Sequence, residues 1–163
     1  MMERRQNLVK ETSFKINYKL IEHERTEDAP FVGALISACG CNFNCVNCFN
    51  QAVKQLPILT SCAASIIEEI KANPFNKGII FGGLEWTLQE KELLILAKLA
   101  KTNGLKTMLY TGKNFEDIEN LYKTKLFDYI KCGPYKEDLK SNTHYEYGVK
   151  LASSNQHIYK GED

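Results

Sequence analysis

Cys39-Gly40-Cys41-Asn42-Phe43-Asn44-Cys45-Val46-Asn47-Cys48-Phe49-Asn50 is the stretch from which the rest of the chain is read. Cys41, Cys45 and Cys48 stand in a C-x3-C-x2-C pattern. Six cysteines in 163 residues produce that spacing by accident about one time in a hundred. Three thiolates this close can converge on one metal centre. A structural zinc site would normally be closed by a second Cys or His pair, and none follows. A four-iron cluster held by three cysteines keeps one iron without a protein ligand, open to a substrate or cofactor. The competing readings are a thiolate zinc site and three small buried hydrophobes that happen to cluster.

The stretch directly follows Phe31-Val32-Gly33-Ala34-Leu35-Ile36, which is apolar almost throughout. Such a run is predicted to be a strand buried on both faces, as in a parallel sheet. Ligands of parallel α/β folds sit at the carboxyl ends of such strands.

The same alternation continues downstream. Thr60-Ser61 offers an N-cap to a helix with Cys62, Ile66 and Ile70 on one face, which makes Cys62 a core residue, and Asn73-Pro74 stops it. Gly78 to Phe81 reads as a strand ending in Gly82-Gly83. Thr87-Leu88-Gln89-Glu90 reads as a capping box opening a helix that Asn103-Gly104 closes. Leu105 to Tyr110 is a third strand, ending at Thr111-Gly112. Asn114 caps a short helix with Phe115, Ile118 and Tyr122 inward. Phe127 to Lys131 is a further strand, ending at Cys132-Gly133-Pro134-Tyr135. Upstream, Phe14 to Leu20 alternates as a short edge strand, and Glu22 to Asp28 reads as a solvated loop with His23 at the surface. Beyond residue 135 the chain is polar, with one candidate strand, Tyr147 to Leu151. His144 and His157 stand apart in polar surroundings and read as surface residues.

Strand, helix, strand, helix, strand, helix, strand argues for parallel β-structure. A closed eight-stranded barrel needs roughly 200 residues or more. The expected fold is therefore α/β, a partial, open (βα) barrel with a mostly parallel sheet. Residues 1–163 read as a single domain with its core at about 31–135, a polar N-terminal segment at 1–28 and a polar C-terminal segment at 136–163. Four strand ends then meet on one rim: the cysteine loop, Gly82-Gly83, Thr111-Gly112 and Gly133-Pro134-Tyr135. The open side of the barrel is where a partner protein would present its substrate segment.

A formal charge of +1 gives no electrostatic footprint for nucleic acid or anionic membrane. No run is long enough to span a bilayer. Met1 to Lys15 lacks the apolar core of a signal peptide, so a cytoplasmic location is expected, where thiols stay available as ligands. No Ser-His-Asp or paired-carboxylate arrangement stands out.

Cys41-x3-Cys45-x2-Cys48 resembles the signature of the radical S-adenosylmethionine (SAM) enzymes. Within that superfamily, the chain from about Phe31 to about Gln156 is similar to the activating protein of the anaerobic ribonucleoside-triphosphate reductase. The resemblance is carried by Cys48-Phe49-Asn50, Tyr110-Thr111-Gly112 with Phe115-Glu116-Asp117, Tyr129 to Tyr135, and Ser154-Asn155-Gln156. It departs where the family has Gly-Gly-acidic-Pro. Here Gly82-Gly83 is followed by Leu84-Glu85-Trp86, so the acidic residue falls one place later and the proline is absent.

The resemblance implies an oxidoreductase holding a [4Fe-4S] cluster on Cys41, Cys45 and Cys48. SAM would be bound near Phe49, Asn50, Gly82, Gly83, Glu85, Thr111 and Gly112, with no catalytic side chain beyond the cluster ligands. It implies as partners a large glycyl-radical subunit of an anaerobic ribonucleotide reductase and an electron donor such as a flavodoxin or ferredoxin. The alternatives are an activator of another glycyl-radical enzyme, a small-molecule radical SAM enzyme, or a non-catalytic metal or electron-transfer module. Glu85 either meets the cofactor or favours the next helix's N-terminus. Trp86 is a lid or core. Cys39 is core, a spectator thiol or a substitute ligand, and Cys132 shares the rim.

Overall fold

A computed structural model describes residues 2–42 and 50–161. Its strands are β1 (Lys15–Tyr18), β2 (Ile21–Arg25), β3 (Gly33–Ser37), β4 (Leu59–Cys62), β5 (Gly78–Gly82), β6 (Lys106–Tyr110), β7 (Tyr129–Cys132), β8 (Tyr145–Glu146), β9 (Val149–Lys150) and β10 (His157–Lys160). Its helices are α1 (Met2–Thr12), α2 (Gln51–Lys54), α3 (Ala63–Ala72), α4 (Glu90–Thr102) and α5 (Phe115–Lys123), with 3-10 turns at Trp86–Gln89 and Glu137–Leu139. The main sheet runs β10-β7-β6-β5-β3-β2. Its four inner strands, β3, β5, β6 and β7, are parallel, and both edges are antiparallel. The sheet is open and mostly parallel, as expected of a partial barrel.

The inner strands are rich in apolar residues because both of their faces are largely covered, β5 without interruption. Every residue of β5 is buried. Period-two alternation sends Ala34, Ile36, Ile79, Phe81, Leu109 and Ile130 to one face, where they pack with the buried faces of α3 and α4. In α4 that face is Leu93, Leu96, Ala97 and Ala100, the i, i+3, i+4, i+7 stripe of an amphipathic helix. Ile80 and Met108 point to the other face, where Val149, Leu151 and Ile158 cover them. The C-terminal segment is thus a packed part of the fold.

Several expectations are corrected. Residues 21–25 form an edge strand rather than a loop. β2 pairs antiparallel with β3 and shifts register between Glu22 and Arg25. Its charged, exposed side chains hid its pattern, yet they suit an edge, where charge discourages further pairing. The predicted strand near Phe14 exists as β1, but it pairs with β4 in a separate two-stranded sheet. Thr60 and Ser61 lie in β4, and Cys62 takes the N-cap position of α3 without a side-chain cap bond. Cys62 is therefore half-buried at a strand-to-helix junction, its Sγ 3.0 Å from Ser65 Oγ, while Ile66 and Ile70 form the buried stripe.

The capping box at Thr87–Glu90 does not form. Thr87 donates from both its backbone N and its hydroxyl to Glu85 (3.2 and 2.7 Å), and the chain passes through the 3-10 turn before α4 begins. Asn114 precedes α5 as predicted, but its side chain makes no cap bond. Tyr147 and Gly148, both at positive φ, turn the small β8–β9 hairpin where a single strand was expected. α1 and β10 had no counterpart in the sequence reading. His23 is exposed, as expected. No helix among the described residues is long and apolar enough to cross a membrane.

Candidate cofactor cleft

The carboxyl ends of β3, β5, β6 and β7 converge on a cleft of about 170 Å³. Cys41, Asn50, Gly83, Glu85, Thr111, Gly112, Gly133, Tyr135 and Gln156 are among its lining residues. Of the predicted ligands, Cys41 stands half-buried in this wall, whereas Cys45 and Cys48 lie outside the described residues, as does Phe49. Asn50, Gly83, Glu85, Thr111 and Gly112 are brought together. Gly82 closes β5 behind them, and its carbonyl accepts from Ala38 N (3.2 Å) and Leu84 N (3.0 Å).

The start of the cysteine loop is tied to the rest of the rim by backbone. Glu85 N donates to Gly40 O at 2.8 Å, and Cys39 N donates to Gln89 Oε1 at 3.0 Å. Gly83 makes this close approach feasible. Its φ is +78°, and a Cβ there would sit 2.5 Å from Ser37 Oγ. Only glycine meets both demands.

Glu85 is the organising side chain. It is 3% exposed, and its carboxylate accepts from four donors. These are Thr87 N and Oγ1, Thr111 Oγ1 (3.0 Å to Oε2) and Gly112 N (2.8 Å to Oε1). It caps the 3-10 turn, as one reading of the sequence had it, and in addition fastens that turn to the end of β6. Thr111 Oγ1 accepts in turn from Lys113 N at 3.1 Å. A buried carboxylate needs such a set of donors to be tolerated at all.

The opposite wall was quoted in the sequence but not assigned to the site. Gln156 is 2% exposed. Its Oε1 accepts from Ala152 N (3.1 Å) and Ser153 N (3.2 Å), and its Nε2 donates to Gly133 O (3.2 Å). Asn155 Nδ2 donates to Pro134 O at 2.8 Å. The Asn-Gln pair therefore latches the Gly133-Pro134 turn against the cleft. Tyr110 and Lys131 also line it, with Lys131 Nζ 5.4 Å from the Tyr110 ring centre. The Tyr110 hydroxyl donates to Asp28 O, and burial first, then the Asp28 carboxylate, holds it far above the usual phenol range. The cleft continues into a wider groove of about 600 Å³ bordered by Arg25, Lys140 and Lys150.

Trp86 is core. It is fully buried, donates Nε1–H to Ile36 O at 3.0 Å and meets Phe81 edge-to-face. Cys132 is buried in the helix-side core, its thiol pushed up to about 12 by desolvation. Cys39 is half-buried, and burial, followed by the Glu92 carboxylate, raises its thiol too.

The residues present fit an iron–sulfur cluster carrying an amino-acid-like cofactor. A soft sulfur donor stands at one end, and bare backbone at Gly83 and Gly112 with the amides of Asn50 and Gln156 lies along the wall. Residues 30–159 match the family model described as a 4Fe-4S single cluster domain. A Methanocaldococcus jannaschii protein, provisionally named a glycyl-radical enzyme activating enzyme, is 34% identical over 117 residues. That alignment takes in 66% of this chain, and the chain spans about half of that relative, 47% of its length. With a match from Pro30 to Tyr159, the chain belongs to the 4Fe-4S single cluster domain family, a domain of the radical SAM type.

Proposed function

We propose that this chain is a radical SAM activase that generates a glycyl radical on an anaerobic ribonucleoside-triphosphate reductase. The carrying observation is that Cys41, Gly83, Glu85, Thr111 and Gly112, far apart in sequence, border one cleft at the carboxyl ends of parallel strands. In this reading residues 1–163 act as one domain, and Cys41, Cys45 and Cys48 hold the cluster. When bound, the cluster and SAM would together supply the one-electron chemistry that removes a hydrogen atom from a glycine of the partner.

The protein's own part is positioning. Gly82 and Gly83 let backbone approach the amino group of SAM. Phe49 and Asn50 would contribute to cofactor binding, and Glu85 holds Thr111-Gly112 in place at the cleft. No side chain is needed as an acid or base. The wider groove beside Tyr110 and Lys131 takes the partner's glycine-bearing segment, on the side the sheet leaves open. The reductase is favoured over other glycyl-radical partners because the late segments that resemble its activator are in mutual contact, Asn155-Gln156 upon Gly133-Pro134. The generic name of the Methanocaldococcus relative supports the second reading, an activator of a different glycyl-radical enzyme. A low-potential flavodoxin or ferredoxin in the cytoplasm supplies the electron.

Anaerobic reconstitution with iron and sulfide, then reduction with SAM present, tests the activity. 5′-Deoxyadenosine is expected, and a glycyl doublet appears by electron paramagnetic resonance when the reductase is added. A fully loaded cluster that leaves SAM intact overturns the proposal. A doublet formed only on another glycyl-radical enzyme selects the second reading.

A further inference from the structure

The two histidines that the sequence left isolated are neighbours. His144 precedes β8, Glu146 lies in β8 and His157 begins β10. Glu146 Oε2 stands 2.8 Å from His157 Nδ1 and 3.3 Å from His144 Nε2. All three donor atoms lie within 4.8 Å of one another. We propose that His144, Glu146 and His157 form a second metal site, for a divalent transition ion of the zinc class, separate from the cysteine loop.

Two imidazoles and one carboxylate are the donor set borderline-soft divalent ions take, and three protein ligands leave one position for water. Donors about 2.0–2.1 Å from a tetrahedral ion stand about 3.4 Å apart. The two Glu146 contacts, at 3.3 and 2.8 Å, lie near that spacing, and the two ring nitrogens, within 4.8 Å of each other, close toward it on binding. The surrounding contacts suit ligation as well. Glu146 Oε1 accepts from Ile158 N at 2.8 Å, which fixes the carboxylate and leaves Oε2 directed at the two rings. His144, just before β8, and Glu146, within it, bring their side chains together, Nε2 to Oε2 at 3.3 Å. His157 is 54% exposed and provides the entry path.

Without metal, His144 Nε2 lies 2.7 Å from Gln156 O. Binding shifts that ring to its other tautomer, with its proton on Nδ1. The ion then staples the β8–β9 hairpin to β10 beside Gln156, whose side chain latches the cleft wall. β8 and β9 pair through only two residues each. A metal tie compensates for so short a ladder.

The test does not depend on SAM chemistry. Zinc is titrated calorimetrically into cluster-loaded protein, in which Cys41, Cys45 and Cys48 are occupied. One equivalent is expected to bind, and His157→Ala and Glu146→Gln are expected to weaken it at least a hundredfold. A Cys41→Ser, Cys45→Ser, Cys48→Ser variant is titrated with cobalt. It should show the visible bands of tetrahedral nitrogen–oxygen ligation without sulfur charge transfer, and lose them with His144→Ala. Circular dichroism of each metal-free variant checks folding, and zinc should raise the melting temperature of the parent but not of His157→Ala. Zinc uptake unaffected by the histidine changes, or confined to protein with free cysteines, overturns the site. Either result leaves the activase reading standing.

Discussion

Replacing Glu85 by Gln keeps the side chain's size and removes its charge. Whichever way the new amide turns, its NH2 faces donors. At the Oε1 position it meets Gly112 N–H, and at the Oε2 position it meets Thr87 N–H and the Thr87 hydroxyl. At 3% exposure no solvent can substitute for the lost acceptor. A hydrogen bond to a charged acceptor contributes about 1.5–3 kcal/mol, and leaving a buried donor unpaired costs about 1–3 kcal/mol. These overlap rather than add, so a loss of about 2–4 kcal/mol is expected. With a urea dependence of about 2 kcal/mol per molar, the unfolding midpoint of cluster-free protein should fall by about 1–2 M.

Thr111→Val supplies the partner for a double-mutant cycle, because Thr111 Oγ1 reaches both Glu85 oxygens, at 3.1 and 3.0 Å. The two losses should couple by about 1 kcal/mol, since Glu85→Gln removes the charge from the same bond that Thr111→Val abolishes. A midpoint for Glu85→Gln within about 0.3 M of the parent, or strict additivity with Thr111→Val, would refute the claim that this carboxylate fastens the turn after β5 to the end of β6.

Further changes test other parts of the same rim. Gly83→Ala must place a Cβ 2.5 Å from Ser37 Oγ at φ +78°, and should cost about 2–4 kcal/mol, whereas Gly82→Ala, whose nearest neighbour is Leu35 at 3.5 Å, should cost under about 1 kcal/mol; urea midpoints compare them. Gln156→Leu breaks the bonds to Ala152 N, Ser153 N and Gly133 O, and should lower stability by about 2–3 kcal/mol and weaken SAM binding by calorimetry. In cluster-free protein at pH 8, iodoacetamide should label Cys62 well before Cys132. The hydrogen bond from Ser65 lowers the Cys62 thiol, while burial holds Cys132 near 12 and its thiolate fraction near ~1 in 10,000. Peptide mass spectrometry gives the order of labelling, and the reverse order would contradict the burial of Cys132.

The inner strands were legible because burial on both faces leaves them mostly apolar, most fully in β5, where every residue is buried. The edges were not, for the complementary reason. In β2, Glu22, His23 and Glu24 are all exposed, and in β10, His157 and Lys160 are, so neither shows a pattern that a local window can detect. The cysteine spacing, Gly82-Gly83 and Thr111-Gly112 were readable as motifs. The bonds that assemble them were not, since Glu85 meets Thr111 and Gly112 across 26 and 27 positions and Gln156 reaches Gly133 across 23. The same holds for His144 and His157, whose proximity depends on a hairpin turned at Tyr147-Gly148.

One alternation accounts for the position of the cleft. In β3, β5, β6 and β7 the residues facing the helix layer are apolar but for Thr107, whose hydroxyl donates to Leu126 O at 2.6 Å, because two covering layers must exclude water there. The residues between them, Leu35, Gly82, Tyr110 and Lys131, face the side that has no helix layer. At mid-strand, Ile80 and Met108 on that side are covered by Val149, Leu151 and Ile158. Toward the carboxyl ends the covering segment offers Ala152 and Gln156 instead, a small residue and a polar one, and the layer thins to leave a cavity. The C-terminal segment thus sets the depth of the cleft as much as the strands set its floor. A change that loosens the segment at the His144–Glu146–His157 cluster reaches the cofactor wall through the neighbouring Gln156, without touching a residue that lines the cleft.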